Sequence, residues 1–382
     1  MKILLLGEYS GVHTNLTGAL REKGYKVLHV SDGDGYKSFG SDIFIKYERR
    51  YSKNRLINKS LSLYYTILSF SGFKGGIQIL KYTNVIRKMK SYDIVQLINP
   101  IFLTGFGSVV NFIVFIYLNK NNDKIFLCAL GDDFYWTKFC LSKGFDYSMF
   151  DGLSLKTLKR YLDPLSYVYG FLNPALNKYI VKQVNGIIPG LYDYYLPYKS
   201  FSNCTEIVPI IVKTNESLEQ LSTPSYPIKI FHGWQVGKEL RKGNYIFDKA
   251  IKRIVDNYPN KVEYNIVGGV SYADYIRTFE DSDIFIDQCF SQDRGVNALL
   301  GMSEGKVVLS GFESEVKGYY DIDYDPVINS IPDENQIFKN IESLVLNREL
   351  MHEYAVSAKR FIREFHNPEY VLNKYFKIWK DY

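Results

Sequence analysis

The chain of 382 residues contains few cysteines, and their spacing fits no common metal site or disulfide framework. The four cysteines are Cys128, Cys140, Cys204 and Cys289, and no two of them form a CxxC pair. Two of them lie in or beside predicted strands. We therefore expect reduced, packed thiols in a cytosolic protein.

The start of the sequence also lacks the pattern of a secretory signal peptide. Met1 and Lys2 lead into an apolar run of only four residues before Gly7 and Glu8. The apolar core of a signal peptide is longer than this. The sequence therefore predicts a cytoplasmic chain.

A membrane-spanning segment is not predicted either, although one uncharged stretch is long enough to cross a bilayer. This stretch, residues 94–119, contains Asn99-Pro100, Gly105 and Gly107. These residues divide it into a strand, a turn and a buried helix. We interpret it as part of an α/β domain.

A dinucleotide-binding fingerprint is missing from the first strand, loop and helix. The predicted strand Lys2–Leu6 is followed by GEYSGVHTN, which is not GxGxxG. No acidic residue stands where the ribose of a dinucleotide would require one. The sequence therefore gives no support for a nicotinamide enzyme, and we expect no cofactor.

The length and the order of predicted elements indicate two α/β domains. A chain of this length exceeds one ordinary core, and two domains of about 190 residues each are the natural expectation. Strands alternate with helices in both halves. We predict a first domain at residues 1–204, a linker around Ser200–Thr205 and a second domain at residues 205–366.

Acidic residues are almost absent from residues 46–90. This region contains eleven Lys or Arg residues and one acid, Glu48, so its net charge is +10. The whole chain carries +6, which leaves −4 for the remainder. A basic region with interleaved apolar residues suits an anionic membrane surface. Two ordinary surface helices are the alternative, and no nucleic-acid-binding module is recognisable.

The stretch Asp283–Gly311 contains the clearest pattern of a ligand site. It is predicted to form a buried strand, Ile284–Ile286, a polar loop, a short helix and a second strand, Val307–Leu309. In an open α/β sheet, ligands bind beyond the carboxyl ends of the strands. Gly295 would allow a close approach to a ligand, and the helix start beside it favours an anion such as a pyrophosphate.

The order of residues in this stretch resembles the donor-sugar loop of the GT-B glycosyltransferases. In that family a Glu-rich Gly-x-Gly loop precedes a helix that reads Glu-Ala-Met-Ala-x-Gly-Lys. Two glutamates of the family are missing here, because their positions fall on Gln292 and Leu300. The stretch also resembles bacterial capsule and lipopolysaccharide glycosyltransferases that have a strand ending in Asp-Gln and an Asn-Ala-Leu helix. The matching residues are Asp287, Gln288, Gly295, Asn297, Ala298, Leu299, Gly301, Met302, Ser303, Gly305 and Lys306.

A second part of the resemblance lies after the predicted strand Lys229–His232. There the family has Gly-Arg and then Lys-Gly, and the Arg and Lys hold the donor pyrophosphate. Gly233, Lys242 and Gly243 match this pattern. Trp234 replaces the arginine, so Lys238 or Arg241 would supply that contact. An exposed loop lysine is the alternative for Lys242, and a surface acid is the alternative for Glu313. The resemblance implies donor contacts by Gly233, Lys238, Arg241, Lys242, Gly268, Asp287, Gln288, Gln292, Gly295, Val296, Asn297 and Glu313.

Candidate acceptor and catalytic residues lie in the first half. The predicted strand Lys124–Leu130 ends in Gly131-Asp132-Asp133, and carboxylates at a strand's carboxyl end are placed for ligand chemistry. Either aspartate would take the proton of the acceptor hydroxyl or orient the acceptor. The alternative is a structural role for the pair, as a helix cap or in a turn. His13 is a third catalytic candidate, with a satisfied structural histidine as its alternative. From the resemblance, Gly7, Ser10 and Gly11 would contact the acceptor.

The resemblance implies a complete GT-B architecture. We expect an α/β protein with two Rossmann-like domains facing a central cleft, and a C-terminal helix, residues 367–382, crossing back to the first domain. It would be a glycosyl or hexosyl transferase of the EC 2.4 class. No Asp-x-Asp spacing is present at Asp132 and Asp133, so we expect no metal.

The implied reaction transfers a sugar from a nucleotide-sugar donor, which is a substrate and no cofactor. The acceptor would be lipid-linked or an oligosaccharide, in cell-surface polysaccharide biosynthesis. The enzyme would be cytoplasmic, bound peripherally to the inner face of a bacterial plasma membrane. Two alternatives stay open: a non-catalytic GT-B scaffold of a polysaccharide assembly complex, which the missing glutamates favour, and a sugar-nucleotide epimerase.

Overall fold

The computed structural model forms two compact units. Unit 1 and unit 2 each contain several segments of the chain, because the chain passes between them more than once. Unit 1 comprises Met1–Ser142, Tyr161–Ile211 and Val371–Tyr382, and unit 2 comprises Lys143–Arg160 and Val212–Tyr370. The residues that the structure describes are 1–35, 39–213, 221, 223–234, 237–270 and 272–382.

Unit 1 is built on a parallel sheet of six strands. The strands are β1 (Lys2–Leu6), β2 (Lys26–Ser31), β3 (Ile43–Phe44), β4 (Ile94–Leu97), β5 (Lys124–Leu127) and β6 (Gly186–Ile187). Their order is β3-β2-β1-β4-β5-β6, and all pairs are parallel. The central strands β1 and β4 are buried because helices cover both faces of such a sheet. This is the Rossmann strand order, and its switch point lies between β1 and β4.

The helices of the first half connect these strands. Helix α4 is stabilised by burial of its apolar residues Val110, Val114 and Phe115, and helix α5 begins where the side chain of Asp133 caps it. The helices are α1 (Val12–Glu22), α2 (Arg55–Ser71), a 3-10 helix (Gln78–Tyr82), α3 (Thr83–Arg87), α4 (Ser108–Asn121), α5 (Phe134–Leu141), α6 (Leu158–Tyr169), α7 (Asn173–Gln183) and α8 (Tyr192–Tyr195).

Unit 2 contains a second parallel sheet, of five strands. The strands are β7 (Ile228–Gly233), β8 (Val262–Val267), β9 (Ile284–Ile286), β10 (Val307–Ser310) and β11 (Ile328–Asn329). Their order is β11-β10-β9-β7-β8, with every pair parallel. The strand order reverses between β7 and β9, so the carboxyl ends of these two strands mark the switch point.

The helices of the second half complete unit 2 and return to unit 1. Asp333 caps one of them, since its carboxylate accepts hydrogen bonds from the N–H groups of Asn335 and Gln336. The helices are α9 (Glu239–Lys242), α10 (Asn244–Asn257), α11 (Tyr272–Glu280), α12 (Val296–Ser303), α13 (Ser314–Tyr320), α14 (Glu334–Leu346), α15 (Arg348–Phe365) and α16 (Pro368–Asp381).

The last helix, α16, returns to unit 1 as predicted. Its residues from Val371 onward belong to that unit. Gln96 Nε2 donates to Tyr375 Oη at 3.3 Å, and Lys124 Nζ donates to the Trp379 carbonyl at 2.8 Å. The predicted fold class, an α/β chain of two Rossmann-like parts, is confirmed.

One segment lies in a different part of the structure from the one that we predicted. The sequence placed residues 143–160 in the first domain, but they pack with unit 2. Gln292 Nε2 donates to the Tyr147 carbonyl at 3.4 Å, and Arg241 Nε lies 2.9 Å from Met149 Sδ. These long-range contacts hold the segment, and no local pattern in the sequence encodes them.

The uncharged stretch 94–119 forms strand β4 and most of helix α4, in agreement with its interpretation as an α/β segment. Within the described ranges, no helix combines the length and the apolar character that crossing a membrane requires.

Candidate functional site

The candidate site of unit 2 lies where its sheet changes direction. Strand β7 ends at Gly233, and the short helix α9, Gly243 and the start of α10 follow it. After β9 come Asp287, a polar loop and the start of α12. Because neighbouring parallel strands end at the same edge, both loops lie at the place where an α/β sheet binds ligands.

A buried ion pair joins the two loops. Lys242 Nζ lies 2.8 Å from Asp287 Oδ1, and the two side chains are 17% and 1% exposed. The other oxygen, Asp287 Oδ2, accepts hydrogen bonds from the Gly295 N–H and from Ser310 Oγ, each at 3.2 Å. One carboxylate therefore fixes the position of Lys242 and ties together the segments that follow β7, β9 and β10.

Two glycines allow this close packing. Gly243 has φ +75°, and a side chain there would clash with Cys289 Sγ, whose own N–H donates to the Lys242 carbonyl at 3.1 Å. A Cβ atom at Gly295 would lie 2.8 Å from Asp287 Oδ2. Both predicted glycines are thus required by contacts within the protein itself.

Two helix starts face this region of the sheet edge. Helix α10 begins at Asn244, immediately after Lys242 and Gly243, and helix α12 begins at Val296, immediately after Gly295. The first N–H groups of a helix have no partners within it and carry partial positive charge. Asn244 is 1% exposed, and within the described part of the chain neither its side-chain oxygen nor its side-chain nitrogen has a hydrogen-bond partner. A lysine, two helix starts and an unsatisfied amide can together bind an anion.

The loop after β9 is anchored by Arg294, whose side chain is fully buried. It pairs with Asp293, and its Nη2 lies 3.1 Å from Tyr320 Oη and 3.1 Å from His366 Nε2. Burial alone would lower the pKa of Arg294, but Asp293 and Tyr320 together outweigh it, so the pKa is raised. No role was predicted for Arg294, because in the polar sequence Ser291-Gln292-Asp293-Arg294 nothing distinguishes a buried arginine from an exposed one.

The same loop brings two predicted residues together. The Glu313 N–H donates to the Gln292 carbonyl at 3.0 Å. The Glu313 carboxylate accepts a hydrogen bond from Tyr147 Oη, and Gln288 Nε2 donates to Ser291 Oγ at 2.9 Å. Gln292 and Glu313 are therefore neighbours, and both contact Tyr147. Sequence reasoning missed Tyr147, because it lies in the segment assigned to the other domain.

Other predicted donor residues lie around this core in different environments. Arg241 points at Met149, Lys238 is exposed before α9, and Gly268 is exposed beside the Trp234 backbone. Gly233 ends β7, while Val296 and Asn297, half-buried, form the first turn of α12. The structure brings Lys242, Asp287 and Gly295 into one cluster and leaves Lys238 and Arg241 outside it.

His232, near the end of β7, is a buried group that the sequence analysis assigned no role. Its Nδ1 lies 2.7 Å from Tyr264 Oη, and Tyr264 donates to Asp248 Oδ1 at 3.3 Å. The other ring nitrogen, Nε2, is buried and has no hydrogen-bond partner among the residues that the structure describes. Burial lowers the pKa of His232 to about 3, which keeps the ring neutral.

In unit 1, the structure does not support the predicted catalytic role of His13. The side chain is fully buried, and its Nδ1 lies 2.8 Å from the Gly7 carbonyl. Burial, reinforced by His29, lowers its pKa to about 3. A side chain enclosed in the core cannot contact an acceptor, so His13 is a structural histidine.

The predicted acceptor loop after β1 is held tightly by internal contacts. Gly7 and Gly11 have φ +84° and +86°, and a side chain at Gly7 would clash with Ile98. The Ser10 N–H donates to Asp34 Oδ2 at 2.9 Å. Glu8, which the sequence analysis left aside, is buried and accepts from the N–H and hydroxyl of Thr14 at 2.8 and 2.7 Å. These bonds fix the loop at the switch point of the first sheet.

The two aspartates after β5 have different environments. Asp133 is 1% exposed, caps α5 by accepting from the Trp136 N–H at 2.8 Å, and accepts from Tyr198 Oη at 2.6 Å. Burial raises its pKa to about 6. Asp132 is half-buried, and its charge contributes to the raised pKa of Tyr9, which burial dominates. Asp133 therefore fits the helix-cap alternative, and Asp132 is the better placed of the two for a ligand.

Over the described part of the chain, no three histidine, cysteine, aspartate or glutamate side chains are grouped as metal ligands. The expectation of metal-independent chemistry remains a prediction.

Comparison with solved structures identifies the fold. Sucrose-phosphate synthase from Thermosynechococcus elongatus matches with a TM-score of 0.56 and 11% identity, covering 100% of this chain and 98% of the other. Anabaena HepE in complex with UDP and glucose matches with a TM-score of 0.55 and 10% identity, covering 100% of both chains. The chain has the GT-B fold.

TarM from S. aureus, in complex with UDP, fondaparinux and alpha-GlcNAc-glycerol, matches over a shorter range. Its TM-score is 0.51 at 13% identity, and the alignment covers 79% of this chain. The chain spans 58% of the length of TarM. No family model matches the chain, and no curated protein matches it by sequence.

Proposed function

We propose that the protein is a glycosyltransferase that moves a sugar from a nucleotide-sugar donor to an acceptor. The observation that carries this proposal is the position of Lys242. It is fixed by Asp287 at the switch point of unit 2, close in sequence to the start of α10. This arrangement suits the pyrophosphate of a nucleotide-sugar, which needs fixed positive charge.

The same residues suit the chemistry of transfer. As the bond between sugar and diphosphate breaks, negative charge develops on the leaving diphosphate. Lys242 and the N–H groups of α10 and α12 would stabilise that charge without having to reorganise. These groups supply the positive charge in a reaction that we propose to be metal-independent. Gln292 and Glu313, neighbours in the structure, would contact the ribose or sugar hydroxyls in place of the missing glutamates.

The solved structures support the choice of donor class. HepE was crystallised with UDP and glucose, and TarM with UDP. Those ligands belong to those proteins, but their fold is shared by this chain. UDP-sugars are therefore the first donors to test.

Unit 1 would bind the acceptor. Asp132 lies just after β5, at the carboxyl edge of the sheet, and would orient the acceptor hydroxyl or take its proton. The net charge of +10 in residues 46–90 supports docking to an anionic membrane surface. We propose a lipid-linked or oligosaccharide acceptor, at the cytoplasmic face of the membrane, in the synthesis of a cell-surface polysaccharide.

The test is donor binding by ligand-observed NMR with UDP-, GDP-, dTDP- and CMP-sugars. We expect saturable binding of one class, weakened about tenfold or more by Lys242→Ala because a charge-assisted phosphate contact is lost. Lys249→Ala, which removes an exposed lysine from the next helix, α10, is the matched control and should bind normally.

Two other outcomes would point to the alternatives. Absence of binding to every sugar nucleotide would contradict the proposal and favour a non-catalytic scaffold. Conversion of a bound sugar nucleotide to its epimer, in the absence of any acceptor, would favour an epimerase. Equal affinity of the wild type and Lys242→Ala for sugar nucleotides would contradict the proposed role of Lys242 in donor binding.

A further inference from the structure

Unit 1 contains a large apolar groove that the proposed donor chemistry does not use. Its volume is about 1240 Å³, and it lies among α2, the 3-10 helix and α4. A groove of this size exceeds the usual range of small-molecule sites. Its apolar lining includes Leu61, Tyr64, Leu68, Ile77, Leu80 and Ile113.

The helix beside the groove has an unusual distribution of apolar side chains. Helix α2 has 17 residues, and Tyr65 is its one fully buried side chain. Large apolar side chains nearby are widely exposed, with Ile77 at 85%, Leu80 at 68% and Ile113 at 63%. A contiguous apolar patch of this kind on a folded protein marks a binding surface.

A small polar pocket adjoins the groove. It has a volume of about 220 Å³ and shares Tyr47 with the groove. Its lining includes Asp32, Lys46, Arg49, Lys74 and Thr104, and it therefore holds three cations against one carboxylate. Asp32 follows strand β2, so this pocket lies at the carboxyl edge of the first sheet.

Each of the three cations of this pocket lies over the face of an aromatic ring. Lys46 Nζ lies 4.7 Å from the Phe44 ring centre, Arg49 Cζ lies 4.6 Å from that of Tyr65, and Lys74 Nζ lies 5.1 Å from that of Tyr47. Among the described residues, none of the three forms an ion pair with a carboxylate within 4 Å. Their charge is therefore available to an anion.

Two further features of the pocket favour an anionic group. Thr104 Oγ1 is buried and has no hydrogen-bond partner among the described residues. Burial lowers the pKa of Lys74, and the charge of Asp163 offsets this effect only in part. A phosphate oxygen would accept hydrogen bonds from the Thr104 hydroxyl and the Lys74 ammonium, and would remove the energetic cost of burying each group without a partner.

We propose that the groove binds the hydrocarbon chain of a single-chain lipid phosphate, with the phosphate in the pocket of Lys46, Arg49 and Lys74. The pairing of a long apolar groove with an adjoining cationic pocket matches one molecule that carries both parts. A flat membrane surface would need exposed basic and apolar side chains, but no concave site that leads to the sheet edge. That this lipid is the acceptor rests on the proposed function, whereas its binding does not.

The test uses the full-length protein and farnesyl phosphate, an isoprenoid phosphate, at concentrations below micelle formation. Isothermal titration calorimetry should show saturable binding. Farnesol, which lacks the phosphate, should bind about tenfold more weakly or worse, because the charge-assisted contacts are lost. Equal binding of farnesol would overturn the phosphate pocket.

Paired variants test each half of the site. The double variant Lys46→Gln/Arg49→Gln should weaken farnesyl phosphate binding about tenfold or more, while Lys53→Gln/Lys59→Gln should not. The control removes two exposed cations from the same basic region but outside both cavities. Leu80→Glu should abolish binding, and Leu63→Glu, which changes an exposed leucine outside the groove, should preserve it.

Two outcomes would contradict the proposal. One is no binding of monomeric farnesyl phosphate together with binding to phosphatidylglycerol-containing vesicles that Leu63→Glu and Leu80→Glu weaken equally. That result would favour a flat membrane surface. The other is no binding to either probe. Donor binding is measured in parallel, so a failure of the lipid site with intact UDP-sugar binding leaves the proposed function standing.

Discussion

Lys242 and Asp287 form an ion pair, with Lys242 Nζ 2.8 Å from Asp287 Oδ1, and this contact joins the segments after two neighbouring strands. The same carboxylate accepts from the Gly295 N–H and from Ser310 Oγ. The lysine therefore does not need to be ordered when an anion binds. Such preorganisation lowers the entropic cost of binding.

The first prediction concerns Asp287→Asn. The Asp287 carboxylate has three partners, and all three donate hydrogen bonds to it. An asparagine has only one side-chain oxygen that can accept, because its other terminal atom is an amide nitrogen that donates. We expect the free energy of unfolding to fall by about 3 kcal/mol, as when a buried pair loses one partner. Urea denaturation provides the measurement.

The control for this prediction is Asp281→Asn. Asp281 also pairs with a lysine, Lys229, at 2.8 Å, but its side chain is 68% exposed. Loss of an exposed ion pair should cost less than about 1 kcal/mol. Equal losses in the two variants would show that the burial of Asp287 contributes nothing.

The second prediction is that Gly243→Ala destabilises the protein and weakens donor binding. Gly243 and Gly237 both have positive φ, at +75° and +88°. A Cβ at Gly243 would clash with Cys289, whereas one at Gly237 meets no atom of the described residues within 4 Å. We expect losses of about 3 kcal/mol for Gly243→Ala and about 1 kcal/mol for Gly237→Ala.

Titration with sugar nucleotides provides a second comparison of the two glycine variants. Displacement of the Cys289 loop would also move Lys242, whose carbonyl accepts from the Cys289 N–H. Gly243→Ala should therefore weaken sugar-nucleotide binding, and Gly237→Ala should not. Equal stability and equal affinity in the two variants would refute the steric argument.

Much of the fold was predictable from the sequence because its signals are local. The strands Lys2–Leu6 and Ile284–Ile286 have the predicted bounds. Each has the apolar pattern of its element and a clear start or stop. The two-residue strands Ile43–Phe44 and Ile328–Asn329 were missed, since so short a segment has no periodicity.

The site was predictable only in part. Lys242, Gly243 and Gly295 could be identified because glycine and lysine at fixed spacing form a motif. The role of Asp287 as the partner of Lys242 could not, because the two residues lie 45 positions apart. Likewise, Asp132 and Asp133 are adjacent in sequence, and only the packing of Tyr198 against Asp133 distinguishes them.

The third prediction is that Arg294→Lys strongly destabilises unit 2. The guanidinium pairs with Asp293 and contacts Tyr320 and His366 at 3.1 Å each. An ammonium is a single point charge and cannot reach all three partners. We expect a loss of about 3 kcal/mol or more in urea denaturation.

Arg277→Lys is the matched control for Arg294. Arg277 also pairs with an aspartate, Asp274, at 2.9 Å, but its side chain is 79% exposed. A surface substitution of this kind should change stability by less than about 0.5 kcal/mol. A small effect at both positions would mean that Arg294 does not anchor the loop.

The fourth prediction concerns the pH dependence of stability at Asp133. Burial raises the pKa of its carboxyl to about 6 in the folded protein. The ordinary aspartate value, about 3.9, applies to the unfolded chain. Between these two values the folded state holds a proton that the unfolded state has released. The contribution of Asp133 to stability is therefore full below about pH 4 and is lost as the pH rises through about 6.

Asp133→Asn isolates this contribution. Asparagine caps helices as well as aspartate does, so it can still accept from the Trp136 N–H. Tyr198 can then donate to Asn177 Oδ1, which already lies 3.4 Å from its hydroxyl. A shift of about two pKa units corresponds to about 3 kcal/mol. The stability of the wild type relative to Asp133→Asn should fall by about this amount between pH 4 and pH 7.

Urea denaturation of both proteins at pH 4, 5, 6 and 7 measures the difference directly, since all other titrating groups cancel. A difference that stays constant with pH would show that the Asp133 carboxyl is not buried as the structure has it. The expected slope would confirm that burial and capping of α5 determine the state of Asp133. Asp132 would then be the carboxylate of this pair that can act on an acceptor hydroxyl.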